Sequence, residues 1–153
     1  GSGMGSFALL ADNRIVHGPA DRSGGVLTEA SLSGDKVASH TDALDMIVDS
    51  RAIFMLTANK MTAMTRSNRR GLWSQSVEAG TALALAGKTL FVGSRDKVSA
   101  FNAANGKALW SGPVPGRALG LAVANGALLV STDTGAIVSF GQASDQPSAW
   151  IFY

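Results

Sequence analysis

Few residues in this sequence are of the types that do chemistry. Cysteine is absent, which excludes a disulfide framework, a thiol nucleophile and a thiolate metal site. The two histidines, His17 and His40, lie 23 residues apart, and neither has the nearby carboxylates or third histidine that a metal site needs. We therefore predict structural or surface roles for both histidines and no bound metal.

Three aspartates and a glycine-rich start are the next candidates. Asp42, Asp45 and Asp49 recur at short intervals, but the glycine and terminal glutamate of a calcium loop are missing, so we interpret them as turn formers. The opening GSGMGS has only the composition of a phosphate loop, without its flanking strand and helix. We interpret residues 1–5 as a cloning remnant, which leaves open the removal of a native signal peptide. No serine lies in a Gly-x-Ser-x-Gly elbow, and we predict no catalytic residue.

The elements that would position any site are short and repetitive. Residues 81–110, TALALAGKTLFVGSRDKVSAFNAANGKALW, contain apolar runs of strand length separated by turn residues. Two predicted strands, Thr89–Gly93 and Val98–Asn102, flank a polar turn at Ser94–Lys97. A meander of this size is marginally stable alone, so further copies of it are expected.

Copies are present on both sides of this stretch. Residues 45–73 align with 82–110 without a gap, and Trp73 and Trp110 fix the offset at 37 residues. A fainter copy covers 7–42. Three apolar residues recur in a further copy over 119–141, with one extra residue in its turn: Leu129, Ile137 and Phe140 match Leu90, Val98 and Phe101.

The size of the repeat indicates the fold. No window of 11 residues has apolar residues at helical spacing with caps at both ends, so we predict an all-β chain. Asn125-Gly126 is typical of a type I′ hairpin turn, since both central positions need positive φ. Four short strands in about 37 residues make one propeller blade. We predict a β-propeller of about four four-stranded antiparallel blades.

The repeat also sets the expected boundaries and the roles of the large apolar residues. The propeller is predicted over 6–141, with blades near 6–42, 43–79, 80–117 and 118–141, and 142–153 is either a tail or a displaced outer strand. Trp73 and Trp110 end their copies and should cover the gaps between blades, so that Trp110→Ala should cost about 3 kcal/mol or more. The methionines between 46 and 64 fall in apolar columns, and we interpret them as core.

Composition and charge narrow the possible partners. With 153 residues, 46% of them hydrophobic and 16% charged, the chain is long enough for one domain with its own core. A formal charge of +2 and no basic run longer than Arg69-Arg70 do not favour nucleic-acid binding. No apolar stretch reaches the roughly 20 residues needed to cross a bilayer. We predict neither a nucleic-acid partner nor a membrane span.

The copy over 81–110 resembles a known repeat. Its sequence of an apolar run, Gly-Lys-Thr-Leu-Phe-Val-Gly-Ser, a polar turn, Lys-Val-Ser-Ala-Phe-Asn-Ala and Asn-Gly-Lys-Ala-Leu-Trp is similar to the quinoprotein-type, pyrroloquinoline-quinone-like β-propeller repeat. The resemblance implies a bacterial protein of the periplasm or cell envelope. Its family ranges from quinone-dependent dehydrogenases to assembly-scaffold lipoproteins.

The resemblance also bears on blade number. Propellers of this family usually have seven or eight blades, whereas about four are present here. The chain is therefore expected to be the C-terminal half of a longer protein, or a half-propeller that a second copy completes as a homodimer with an eight-bladed ring.

Cofactor use is not expected from the residues present. The resemblance implies that quinone enzymes hold their cofactor between a tryptophan and two adjacent cysteines, with an aspartate base beside calcium. This chain has no cysteine, and its tryptophans lie at predicted blade ends, so we predict no cofactor. The predicted function is a non-catalytic module for protein–protein interaction or assembly. The alternative is a fragment of a quinone- or haem-linked oxidoreductase whose cofactor residues lie outside this chain.

The loops between the second and third strands of each blade are the remaining candidates, since loops on a rigid scaffold often bind partners. They cover Gly18–Arg22, Thr57–Lys60, Ser94–Lys97 and Thr132–Gly135. Their charged residues form a predicted partner-binding rim: Arg22, Lys60, Arg95, Asp96, Lys97 and Asp133. An ordinary solvated rim is the simpler interpretation of the same residues.

Overall fold

All regular elements in the described part of the chain are β-strands. The computed structural model describes residues 8–18 and 25–141, and the backbone of 149–152. Within these residues there is no helix, and hence none long and apolar enough to cross a membrane. The predicted all-β class is confirmed.

The strands form three antiparallel sheets in chain order. The first contains β1 (Ala8–Ala11), β2 (Arg14–His17), β3 (Val26–Ser31) and β4 (Lys36–Thr41). The second contains β5 (Ala43–Val48), β6 (Ala52–Thr57), β7 (Lys60–Thr65) and β8 (Gly71–Ser76). The third contains β9 (Ala82–Ala86), β10 (Thr89–Gly93), β11 (Arg95–Asn102), β12 (Ala108–Ala124), β13 (Ala127–Thr132), β14 (Ile137–Phe140) and β15 (Ala149–Phe152).

The third sheet is two blades joined by one long strand. The first part of β12 pairs with β11 from Ala108 to Pro113 and again at Arg117, and the second part pairs with β13 from Ala118 onward. Each half therefore completes a four-stranded unit, the last of which ends with β15 on β14. With the first two sheets this gives four blades in a row, in agreement with the predicted propeller.

Three apolar clusters lie between successive blades and form the core. Residues of the first blade pack on the second through Val16, Leu27, Met46 and Ile53. The second and third blades meet at Phe54, Leu56, Met61, Leu90 and Val92, and the third and fourth at Val98, Leu128, Val130 and Val138. The methionines Met46, Met55, Met61 and Met64 all belong to these clusters, as expected of core residues. Each fully buried aliphatic side chain contributes about 1.5–3 kcal/mol by burial.

The alignment of the last copy was wrong by one residue in β13. Leu128, which is 4% exposed, packs on the third blade, whereas Leu129 is 40% exposed. Leu128 therefore takes the place of Leu90, and the extra residue of this copy follows it in the β13–β14 turn. Because side chains alternate between faces of a strand, a shift of one residue moves an apolar side chain to the opposite face.

Two turn predictions are confirmed. Asn125 and Gly126 have φ of 51° and 76°, which confirms the type I′ prediction. The predicted polar turn at Ser94–Lys97 is also confirmed, because the β10–β11 pairing ends at Gly93 and Val98 and the Ser94 amide donates to the Lys97 carbonyl at 3.0 Å. β11 nevertheless begins within this turn, because Arg95 already pairs with Arg117 of β12. A bulge between Arg95 and Lys97, with Asp96 at φ 59°, lets the strand continue through these polar residues.

The two repeated tryptophans lie across blade junctions, as predicted. The Trp73 indole packs on Gly106 of the third blade and donates to the carbonyl of Ala103 at 3.0 Å. A side chain at Gly106 would collide with the indole ring. Trp110 meets Phe140 of the fourth blade edge to face, with ring centroids 4.9 Å apart, and is 41% exposed. The Trp73 junction is therefore the more closed of the two.

The two end blades each have an exposed apolar face. On the first blade, Leu10 and Ile15 are cross-strand partners and are 70% and 38% exposed. On the fourth, Leu129 and Ile137 share a face and are 40% and 48% exposed. None of the three apolar clusters of the described residues joins the fourth blade to the first.

Candidate functional site

The predicted loops of the second, third and fourth blades lie on one edge of the blades, together with the connection that follows β8 and the middle part of β12. The amide of Val77, which follows β8, donates to the carbonyl of Asn59 at 3.0 Å. On the next blades, Ala118 donates to Ser94 and Asp133 donates to Arg117, both at 3.0 Å. The loops of the second and third blades are thus fixed by the chain that enters the following blade, and the loop of the fourth by the chain that enters the fourth blade itself.

Several charged residues of this rim are used in holding it together. Asp96 accepts from the Gly116 amide at 3.1 Å, and Lys97 Nζ lies 3.4 Å from Glu78. Asp133 accepts from the amide and Nε of Arg117 at 2.8 and 2.9 Å. The hydrogen bond from the Arg117 guanidinium lowers the pKa of Asp133. Three of the six predicted residues therefore have structural contacts.

The other three predicted rim residues differ. In the described part of the chain, the side chains of Lys60 and Arg95 are exposed and have no hydrogen bond or ion pair. Arg22, with its neighbour Asp21, lies outside the described residues. Among the described residues of this rim, Lys60 and Arg95 are thus cations without a side-chain partner.

A second charged cluster, which the sequence did not predict, lies at the opposite edge between the first two blades. Glu29 in β3 is 1% exposed and accepts from both terminal nitrogens of Arg69 at 2.6 Å. His40 Nε2 lies 2.6 Å from the same carboxylate, and Arg14 lies 3.3 Å from it. Burial raises the pKa of Glu29, but the hydrogen bonds from Arg69 and His40 outweigh it and lower the pKa to about 2.

The β7–β8 turn directs Arg69 back toward the first blade. Arg69 has φ of 57°, and its amide donates to the Thr65 carbonyl at 2.9 Å. The Asn68 carboxamide bonds the Thr65 hydroxyl and the Arg70 amide, which closes the turn. Gly106 occupies the equivalent position 37 residues later, with φ of 73°. An arginine therefore holds a backbone conformation that normally favours glycine.

A second ion pair reinforces this edge. Arg66 Nε donates to both oxygens of Asp12 at 3.0 and 2.9 Å, and its Nη1 donates to the Asp49 carbonyl at 3.0 Å. The hydrogen bond from Arg66 lowers the pKa of Asp12. Asp12 and Asn13 form the β1–β2 turn with φ of 53° and 57°. This hairpin tip is thus tied to the second blade.

A cleft of about 980 Å³ opens beside these two ion pairs. Its lining is rich in guanidinium groups and small polar side chains: Asp12, Arg14, Val37, Ala38, Ser50, Arg51, Arg66, Ser67, Asn68 and Arg69. Such a lining can hold an anion through charge-assisted hydrogen bonds. We call it the arginine cleft.

The remaining sequence candidates have structural roles. Asp45 accepts from the amide of Leu83 at 3.0 Å and so links β5 to β9, while Asp42 holds φ of 60° in the single-residue connection between the first two blades. His17 is half-buried in β2. Among residues 8–18 and 25–141, no three histidine, aspartate or glutamate side chains converge as a metal site would require. The glycine-rich start lies outside the described residues.

Comparison with known proteins identifies the repeat. The model of a family described as outer membrane protein assembly factor BamB matches residues 57–151. This confirms the resemblance to the quinoprotein-type propeller repeat. No curated protein sequence matches the chain.

Solved structures share the fold at low identity. The designed protein Ika4 is 14% identical with a TM-score of 0.71, and the match covers 100% of this chain and 92% of Ika4. BamB from Moraxella catarrhalis is 17% identical with a TM-score of 0.67, covering 95% of this chain and 49% of that one. The WD40 domain of Pan2 from Neurospora crassa is 11% identical with a TM-score of 0.70, covering 97% and 50%. The chain thus spans nearly all of Ika4 and about half of each of the other two.

Proposed function

Since the chain belongs to the family of the outer membrane protein assembly factor BamB, we propose that it is a non-catalytic propeller module that binds other proteins as an interaction or assembly scaffold. The description of the family, which names an assembly factor, supports this proposal. It also supports a location in the periplasm or envelope of a bacterium. The described residues carry no observation that favours the oxidoreductase alternative.

The exposed apolar faces of the end blades carry the proposal. Leu10 and Ile15 on the first blade and Leu129 and Ile137 on the fourth are far more exposed than the corresponding residues inside the row. In the interior, the same kind of face is covered by a neighbouring blade, as Leu90 of the third blade is covered by the second at 0% exposure. Exposed apolar strand faces of this kind mark surfaces that another protein covers.

A second copy of the chain is the proposed occupant. A two-fold axis would place the first blade of one copy against the fourth blade of the other, and both exposed faces would be buried. The resulting ring would have eight blades. The BamB chain that shares this fold is about twice as long, which agrees with two copies forming one ring.

The mass in solution tests this arrangement. One chain has a mass of 15.7 kDa, and light scattering after gel filtration should show twice that value. Leu10→Glu should yield a monomer, because it places a charge on the covered face. The matched control is Leu72→Glu, which changes a 46% exposed leucine on the outer strand β8 and should leave the dimer intact. A wild-type chain that remains a monomer at high concentration would contradict the proposal.

The rim is proposed as the surface for other partners. Its free cations Lys60 and Arg95 support this, and Arg22, Asp96, Lys97 and Asp133 complete the proposed surface. Thermal unfolding with added pyrroloquinoline quinone and calcium separates the scaffold from the oxidoreductase alternative, because a bound cofactor raises the melting temperature. We expect no change in melting temperature, whereas an increase would favour the alternative.

A further inference from the structure

The arginine cleft exists because the first blade lacks a tryptophan. In the second and third blades, Ala63 faces Trp73 and Ala100 faces Trp110 across adjacent strands, and the indoles cover the next junction. The corresponding pair in the first blade is Glu29 and Ala38. A methyl group at residue 38 leaves the outer end of this junction open.

The cleft has more positive charge than its own carboxylates neutralise. Four arginines line it, whereas among the described residues Asp12 and Glu29 are the carboxylates that pair with them, and Asp49 adds an electrostatic attraction to Arg66. Both carboxylates already have cationic partners. Asp12 pairs with Arg66, and Glu29 pairs with Arg69, His40 and Arg14. A further anion would therefore meet guanidinium groups with unused donors.

Arg51 is the principal free donor. It is exposed at the β5–β6 turn, and among the residues that the structure describes its side chain has no hydrogen bond or ion pair. Arg14 is 40% exposed and has one contact with Glu29 at 3.3 Å, which leaves other donors of its guanidinium available. Arg66 is held in place by hydrogen bonds to Asp12 and to the Asp49 carbonyl, and Arg69 by two to Glu29, so both guanidinium groups are fixed in position.

The other lining residues point to a peptide rather than a small ion. Ser50, Ser67 and Asn68 offer hydroxyl and amide groups to a peptide backbone. Val37 is 46% exposed, and with Ala38 it forms an apolar patch that a bare oxyanion would not use. The volume of about 980 Å³ lies at the upper end of the range of ligand clefts.

We propose that the arginine cleft binds an acidic peptide segment of a partner protein, with carboxylates on Arg51 and Arg14 and the backbone along the apolar patch. The cleft lies at the opposite edge from the rim and away from the exposed end faces. This inference does not rest on either surface of the proposed function.

A binding titration with the full chain tests the proposal. The probe is a fluorescein-labelled hexaglutamate peptide, and the readout is fluorescence anisotropy. Arg51→Glu should weaken binding by about tenfold or more, since it replaces a charge-assisted donor with a repelling carboxylate. The matched control is Arg95→Glu, which makes the same charge change at an exposed, unpaired arginine of the rim and should change the Kd less than about twofold.

Two outcomes of this titration would overturn the proposal. One is equal weakening by Arg51→Glu and Arg95→Glu, which would indicate attraction by net charge alone. The other is displacement of the peptide by inorganic phosphate at equal carboxylate and phosphate concentration, which would indicate a site for free oxyanions. Val37→Glu gives independent support, because a carboxylate on the exposed apolar patch should repel an acidic peptide with all four arginines kept. Unchanged peptide binding by a folded Val37→Glu variant would also overturn it.

Discussion

The two junctions on either side of the second blade have the same backbone geometry and opposite chemistry. Between the second and third blades, an indole lies on a glycine: Trp73 covers Gly106. Between the first and second, Arg69 occupies the position of that glycine and reaches a buried carboxylate. Both turn residues have positive φ, so the turn is kept while its side chain changes from none to a guanidinium.

The comparison shows what each chemistry can do. The indole fills the outer end of its junction, whereas the ion pair at Glu29 closes only the interior and leaves a cleft beside it. Apolar contact supplies free energy through burial alone. A buried ion pair offsets its own desolvation and adds little net stability, but it fixes geometry and leaves charge available. The first junction is therefore suited to binding and the second to stability.

Removal of the indole should give the largest effect. Trp73→Ala deletes a ring packed on Gly106 and a hydrogen bond to Ala103, and it should lower the free energy of unfolding by about 3–5 kcal/mol. Urea denaturation measures the change. Trp110 is the control, because it is 41% exposed and we expect about 2 kcal/mol for it, less than the sequence alone suggested. Equal losses would mean that the two junctions are equally closed.

Breaking the ion pair between Arg69 and Glu29 should lower the free energy of unfolding slightly less than Trp73→Ala does. Arg69→Met leaves the buried Glu29 carboxylate with only His40 and Arg14, and we expect a loss of about 3 kcal/mol. The double change Glu29→Ala with Arg69→Gly copies the residues of the next junction and should recover most of it, because no buried charge is left unpaired. A double variant as unstable as Arg69→Met would show that the pair itself stabilises the fold.

Low pH should destabilise the junction between the first and second blades but not the junction between the second and third. The pKa of Glu29 is lowered from 4.5 to about 2 in the folded chain, so its contribution is fully present above pH 4.5 and is lost as the pH falls toward 2. By linkage this contribution is about 3 kcal/mol at most. When the pH is lowered from 6 to 3, the urea midpoint of unfolding should fall more for the wild type than for Glu29→Gln. Parallel pH profiles would contradict this assignment.

The smallest effect should come from the exposed ion pair. Asp12 is 52% exposed beside Arg66, and solvent screens such pairs strongly. Asp12→Asn should leave the urea midpoint nearly unchanged in moderate salt. A clear loss of stability would mean that the tip of the β1–β2 hairpin, and not Glu29, holds the first blade in place.

The sequence predicted the features that recur from blade to blade and missed those that occur in one blade only. The 37-residue offset between Trp73 and Trp110 predicted the blades and the role of both indoles. The run Leu128-Leu129-Val130 is apolar on both faces of its strand, so periodicity alone could not decide which leucine is buried. The register of that strand is set by the two-residue turn Asn125-Gly126, which matches Gly87-Lys88 of the third blade and places Leu128 in the position of Leu90.

The charged cluster was missed for a different reason. Glu29 and Arg69 lie 40 residues apart in different blades, and neither is part of a local motif. One signal was present in the alignment: Arg69 falls in the column of Gly106, a turn position that favours glycine. A side chain retained at such a position indicates a specific contact elsewhere, but it does not identify the partner.

The continuous strand β12 makes the four blades unequal under local unfolding. It belongs to both the third and fourth blades, so opening one of them disrupts the register of the other, and the two should unfold as one cooperative unit. The first blade is joined to the second only through Asp42 and the contacts of their junction. It is the part of the row that can separate at the lowest free energy, and the arginine cleft would separate with it.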